Sequence, residues 1–374
     1  MKYNFLENNL PSDFAQLKVN EIKSHIENGE SITTIAMPGV GVTHLMRFLT
    51  RIDNAYVTYI DVYDLTNLNK EEFYLQLLKN LDTNTSKNEA NILDVIKERL
   101  LELINEHGKV VIICNHFDQL VSESDTKLLK DIHQLTRVFP KKIVFIFTSN
   151  IPLYDFFPNE ISPLSLSSYS RIYYFGLFKN ADIRSIMNMR MSLTEEDQKR
   201  LEVIYPISNG HLQLTQMIYK SEFQENPVYD TYVRLVLSTI YDYLNFHRKQ
   251  AVQKIAQNKY ISNIDPYLIN LGLVREEEGK QTFFTPLFAQ FIQGFVSFKL
   301  PVKERKLLKL LKKHPGEVVD KDEIFDYVWQ DSSEGATDWA LNALIYRLRK
   351  NPQLKNSGYE IVSVKKQGYM LMKI

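Results

Sequence analysis

Five short apolar runs punctuate the first half of the chain, at residues 32–36, 56–62, 110–114, 143–148 and 172–175. A run such as Val110-Val111-Ile112-Ile113-Cys114 shows no alternation of polar and apolar residues, so a strand made from it must be covered on both faces. The segments between the runs, for example 45–52, 71–81, 92–105 and 125–138, repeat apolar residues at helical spacing. Strands alternating with helices dictate an α/β fold with a mainly parallel sheet and helices on both sides. No internal repeat or low-complexity tract suggests another architecture.

A chain of 374 residues has room for two to four domains with sizeable cores. Its single cysteine, Cys114, excludes an intramolecular disulfide and fits a reducing compartment. No apolar stretch approaches the roughly 20 residues that span a bilayer, and Met1-Lys2-Tyr3-Asn4 does not open a signal peptide. The expected location is cytoplasmic, with no membrane partner. Charge is balanced at 45 basic and 45 acidic residues but unevenly placed. Residues 299–374 hold 15 Lys and Arg against 10 Asp and Glu, so the rest holds 30 against 35. A basic tail on an acidic body puts a phosphate-attracting field at the C-terminal end. Neither metal-ligand spacing of His, Cys, Asp and Glu nor a Ser-His-Asp arrangement stands out, so no metal site and no catalytic residue is assigned.

The loop after the first run, Ala36-Met37-Pro38-Gly39-Val40-Gly41-Val42-Thr43, stands where a P-loop of pattern GxxxxGK[ST] belongs, after a strand and before a helix. Gly39, Gly41 and Thr43 keep the backbone cradle and the hydroxyl. Val42 takes the place of the lysine, and no lysine lies between residues 24 and 69 to replace it. His44 and Arg47 follow on the helix without having to face the phosphates. The third run ends in Asn115-His116, where a Walker B segment carries Asp-Glu, with Asp118 as a displaced acid in the following loop. Thr148-Ser149-Asn150 ends the fourth run and offers Asn150 as a polar group for a γ-phosphate.

In this serial order the segments resemble the STAND and origin-recognition branch of the AAA-like P-loop ATPases over roughly residues 15–295. That resemblance implies strand order 5-1-4-3-2, a helical lid around residues 180–220 containing Ser-Asn-Gly-His-Leu-Gln-Leu-Thr-Gln, and a winged helix after it. It also places a second sensor at residues 210–213, where relatives carry arginine and this chain has Gln213. Three departures, at Val42, Asn115-His116 and Gln213, all remove nucleotide chemistry. No cofactor is expected to turn over, although ATP or ADP could still bind through Gly39, Gly41, Thr43 and Asn150. In the winged helix, Ile255, Ile261, Ile264, Leu268, Leu271 and Leu273 suggest a small core. Lys249, Lys254 and Lys259 are candidate DNA contacts, but a packing role is favoured.

Residues 318–371 contain a second pattern. Leu341, Leu344, Ile345 and Leu348 recur at i, i+3, i+4 and i+7 and form a seam to be buried. Asn342, Tyr346 and Arg349 make a neighbouring stripe left for a partner, flanked by Arg347 and Lys350. Thr337 is the expected N-cap after a turn at Gly335, Pro352 stops the helix, and Asp320 with Glu323 opens an earlier one. A hairpin follows, with Lys365-Lys366-Gln367-Gly368 at its tip. Trp339 suits either a sugar-phosphate edge or a half-buried core position.

The segment 302–374 resembles the winged-helix effector domain of the OmpR/PhoB response regulators. One departure is that only residues 296–300 precede its first helix, which leaves no room for that family's four-stranded N-terminal sheet. The resemblance implies that residues 336–349 enter a major groove, while Lys365 and Lys366 approach phosphate or the minor groove. The overall expectation is a five-stranded parallel P-loop sheet with a helical lid, followed by two winged-helix domains. The expected domains are residues 1–178, 179–225, 226–297 and 298–374. The expected function is that of a bacterial-style DNA-binding transcriptional regulator whose P-loop body senses or oligomerises. Double-stranded DNA is the expected partner through Asn342, Tyr346, Arg347, Arg349, Lys350, Lys365 and Lys366; a second copy of the chain and RNA polymerase or a signalling protein are further partners. A STAND-type signalling ATPase and a replication or plasmid-maintenance initiator remain the alternatives.

Overall fold

The computed structural model describes residues 3–81, 92–123, 126–156, 169, 171–221, 226–296, 301–329, 337–350, 354, 359–364 and 367–373. The chain divides into two compact units, Met1–Ala289 and Gln290–Ile374.

In the first unit, β1 (Ile32–Ala36), β2 (Tyr56–Asp61), β3 (Val110–Asn115), β4 (Ile143–Ser149) and β5 (Ile172–Phe175) form one sheet in the order β2-β3-β4-β1-β5. Every pairing is parallel. This is the expected 5-1-4-3-2 order read from the other edge. Strands β1, β3 and β4 are buried along their whole length, as strands covered on both faces must be, with Thr33, Thr34, Asn115, Thr148 and Ser149 as their buried polar members. Helix α1 (Gln16–Asn28) precedes β1, and α2 (Val42–Leu49), α3 (Lys70–Asn80), α4 (Ile92–His107), α5 (Phe117–Glu123) and α6 (Thr126–Val138) lie in the connections between strands. Helix α1 is absent from the patterns read above, because only Val19, Ile22 and Ile26 are apolar and buried in an otherwise polar stretch. Phe73, Leu77, Ile96, Leu100, Phe117, Phe145 and Phe147 belong to one core cluster of this unit.

The lid consists of α7 (Asn180–Met191), α8 (Glu195–Ser208) and α9 (Leu212–Lys220). Thr194 caps α8 in a reciprocal box with Asp197, which fixes where that helix starts. Helices α10 (Thr231–Asp242), α11 (Phe246–Ala256) and α12 (Pro266–Asn270) precede the hairpin β6 (Val274–Glu277) and β7 (Lys280–Phe283), and α13 (Pro286–Val296) follows. Three helices and a hairpin are the winged-helix order.

The second unit runs α14 (Val302–Lys313), β8 (Val318–Asp320), α15 (Lys321–Val328), α16 (Asp338–Lys350), β9 (Tyr359–Val364) and β10 (Gly368–Lys373). Its sheet is antiparallel in the order β8-β10-β9. Leu341, Leu344, Ile345 and Leu348 are buried as the seam predicted, against Leu307, Leu311, Ile324, Ile361 and Tyr369. Thr337 Oγ1 accepts from Ala340 N, and Asp320 accepts from Glu323 N, so both helices start with the expected N-cap bond, which for Asp320 is the N-cap half of the box its pairing with Glu323 suggested. Gly335, Ala336, Pro352, Lys365 and Lys366 lie outside the described residues. Among the described residues no helix is long and apolar enough to cross a membrane.

Candidate ligand cleft and candidate nucleic-acid interface

The cleft lies at the C-terminal ends of β1, β3 and β4, where an open parallel sheet changes direction and leaves a crevice. Its volume is about 420 Å³, and Gly39, Gly41, Thr43, Asn150, Asp118 and Gln213 are among its walls. The four residues expected to meet a nucleotide are therefore together. Two of them are glycines by necessity. Gly39 and Gly41 have φ of 75° and 107°, and a Cβ on Gly39 would fall 2.0 Å from Gln213 Oε1. The lid comes this close because Gln213 N donates to Gly39 O at 3.0 Å and His211 Nε2 donates to Pro38 O at 2.9 Å. His211 Nδ1 accepts from Leu214 N, so the ring is held as one neutral tautomer, and burial pushes its pKa down to about 4.

Behind the loop the strand ends close a polar network. Asn115 Nδ2 donates to Thr43 Oγ1 at 3.1 Å and to Asp61 Oδ2 at 3.0 Å, while Asn115 Oδ1 accepts from Thr148 at 2.7 Å. Those three bonds use both amide hydrogens and fix the amide's orientation. His116 sits at φ 56°, a left-handed conformation that costs a residue carrying a Cβ about 1–2 kcal/mol. That turn aims Nδ1 at Asp61 Oδ1, 2.8 Å away. Burial works against the Asp61 carboxylate, but His116 and the Asn115 amide outweigh it and hold the pKa below the usual range. An amide N–H therefore faces Thr43, where a magnesium-binding P-loop would need an acidic oxygen. These residues do not fit a magnesium–nucleotide. Among the described residues no group of three or more His, Cys, Asp and Glu could hold a metal.

Asp118 belongs to α5 rather than to a loop, and it turns back into the cleft. Its Oδ2 accepts from Asn150 N at 3.3 Å and Nδ2 at 3.4 Å. Its Oδ1 is buried with no hydrogen-bond partner, and burial raises its pKa. Arg47 also lines the cleft, yet Glu7 and Asp61 lie 3.8 and 3.9 Å from it, and Phe5 and Tyr59 stack near its guanidinium. Sequence reading gave Asp61 no role; its only signal was an acid at the end of an apolar run. Arg190, on the last turn of α7, is a further cleft residue missed in the same way.

The middle winged helix is fastened to this wall. Tyr267 OH donates to Asn150 O at 2.6 Å, and buried Arg248 pairs with Asp155 at 2.7 Å and Asp265 at 2.6 Å while lying 3.9 Å over the Tyr267 ring. The hairpin tip of this segment, Glu276-Glu277-Glu278, is acidic.

In the second unit, α16 turns one face outward. Trp339 is 81% exposed and Tyr346 62% exposed, and exposed Asn342 and Lys350 share their face at i+3 and i+11 from Trp339. The expected free stripe is divided differently. Arg349 donates through Nε to Ile361 O and through Nη2 to Ser363 Oγ, both at 2.8 Å, so its two-pronged edge binds β9. Arg347 Nε reaches buried Glu304 on α14 at 2.5 Å. Asn342 Oδ1 accepts from Tyr369 OH at 2.7 Å. Tyr346 and Lys350 point outward together, with the ammonium 5.9 Å from the ring centroid.

Residues 296–371 match the family described as "Transcriptional regulatory protein, C terminal". The OmpR/PhoB-type resemblance of the terminal winged helix thus has independent support. No curated protein sequence matches the chain. Among solved structures, a Walker-type ATPase of Pyrococcus abyssi is 13% identical, with 77% of this chain and 100% of that one covered at a TM-score of 0.49. The Aeropyrum pernix ORC2 protein is 15% identical, with 79% and 97% covered at 0.47. The Aeropyrum pernix ORC1 protein in complex with DNA is 11% identical, with 99% and 91% covered at 0.43. The P-loop assignment rests on strand order and on the glycine loop between β1 and α2, not on these likenesses.

Proposed function

We propose that this chain is a DNA-binding transcriptional regulator. Its terminal winged helix contacts the duplex, and its P-loop body is a sensing or assembly platform that does not turn nucleotide over. The observation that carries this reading is the outward face of α16, Trp339-Asn342-Tyr346-Lys350, set on a fully buried seam within a segment of regulatory-protein type. Such a face, with Lys350 for phosphate and aromatic and amide groups for base edges, is what a major groove accepts. The closed Thr43–Asn115–Asp61 network, in which the Asp61 carboxylate is engaged by Asn115 and His116, and Val42, which brings no cation to a γ-phosphate, support the absence of turnover. ATP or ADP held without hydrolysis is compatible with the cleft.

The test is retention of duplex DNA by the full chain, measured by fluorescence anisotropy at stated salt, with Lys350→Ala and Tyr346→Ala as comparisons. No salt-dependent retention of any duplex would overturn the reading. An initiator that bound DNA through both winged helices is disfavoured by the acidic hairpin tip and by the hold of Asn150 on Tyr267. Removal of residues 299–374 separates the two, because an initiator of that kind keeps DNA affinity and a regulator loses it. A STAND-type signalling ATPase would give heat on calorimetric titration with ATP and magnesium.

A further inference from the structure

The face of α16 is unusual in what it withholds. On a helix advancing 100° per residue, Arg347 and Arg349 lie about 80° to either side of the line through Trp339. Both are engaged within the domain, Arg347 by Glu304 and Arg349 by Ile361 O and Ser363 Oγ. Guanine is most often read in the major groove by an arginine donating two parallel bonds to O6 and N7. Arg349 has already committed Nε and Nη2, one of the two edges able to make such a pair, and these bonds tie its guanidinium to β9. Along the line through Trp339 the outward groups are two large rings, Trp339 and Tyr346, one amide, Asn342, and one ammonium, Lys350, with Arg347 exposed at the flank while its Nε is held by Glu304.

Resting on the DNA-binding reading above, we propose that this face recognises thymine through its C5-methyl group. The methyl is the one apolar feature that a base pair presents in the major groove, and it is the feature that exposed rings can bury. Tyr369 OH occupies a lone pair of Asn342 Oδ1, which leaves the Nδ2 hydrogens as donors for an acceptor such as thymine O4 or adenine N7. Lys350 then serves phosphate, which adds affinity without sequence information. The preferred sites should therefore carry thymines where Trp339 and Tyr346 touch, and should not depend on a guanine read by Arg349.

The experiment selects duplexes from a random-core library with the full chain and then replaces each enriched thymine by deoxyuridine, which removes only the methyl. Each contacted methyl should change affinity about four-fold. Tyr346→Ala should bind the thymine and uracil forms alike at its own position, and Trp339→Ala likewise at a different one. Equal binding of both forms by the unaltered chain overturns the inference, and so does a selected site without thymine. Failure to retain any duplex overturns the DNA-binding reading itself, a distinct outcome.

Discussion

Asn115 Nδ2 donates to Thr43 Oγ1 across 3.1 Å, joining the end of β3 to the first turn of α2 through an amide. A carboxylate there would put two acids side by side, because Asp61 Oδ2 lies 3.0 Å from the same nitrogen. Asn115→Asp should therefore lower stability by about 2–3 kcal/mol at neutral pH, through lost hydrogen bonds and like-charge repulsion. Thermal denaturation should show a lowered Tm that recovers as pH falls and the added acid is protonated. An unchanged Tm would mean that the network is not closed as described.

His211 gives the body a defined acid sensitivity. The ring is neutral when folded, with its pKa down at about 4, and the same group has an ordinary value when unfolded. Between about pH 6.5 and 4 the unfolded chain binds the extra proton, so stability falls as pH is lowered through that window and is fully present above it. The difference amounts to about 3 kcal/mol. Denaturant titrations across that range should show the loss, and His211→Asn should flatten the dependence while lowering stability at pH 7.

Arg349 should act first on stability. Arg349→Ala removes charge-assisted bonds to Ile361 O and Ser363 Oγ, and should cost the C-terminal unit about 1–3 kcal/mol before any DNA is added. Arg349→Lys should not restore it, since a single ammonium cannot reproduce the fork. A variant with normal stability but relaxed base preference would return Arg349 to direct readout.

Lys350→Ala should weaken all duplexes alike and reduce the slope of log affinity against log salt by roughly one unit. Tyr346→Ala should leave that slope unchanged. Salt titrations of both variants on one selected site and on random DNA distinguish the roles.

The fastening of Asn150 to Tyr267 predicts that the cleft wall and the middle winged helix melt together. Tyr267→Phe strands Asn150 O and should cost about 1 kcal/mol, whereas Arg248→Met leaves Asp155 and Asp265 facing each other and should cost more, about 3 kcal/mol. Hydrogen exchange of α12 and of the β4 end should accelerate together in both variants.

The sequence by itself determined a mainly parallel sheet covered on both faces and a terminal helix with one buried seam, because apolar runs alternating with helical patterns and an i, i+3, i+4, i+7 seam each have a surface to bury; the P-loop and winged-helix character came from the resemblance of its motifs. It also singled out the loop Gly39–Thr43 and the lost lysine, both local features of consecutive residues. Tertiary structure alone decided which polar groups are free. Asp61 meets Asn115 across 54 residues, Asp118 meets Asn150 across 32, and Arg349 turns to β9 instead of outward. Helical spacing fixes the side of a helix on which an arginine emerges. Whether its donors remain available depends on which acceptors the fold brings within reach, and those come from distant parts of the chain.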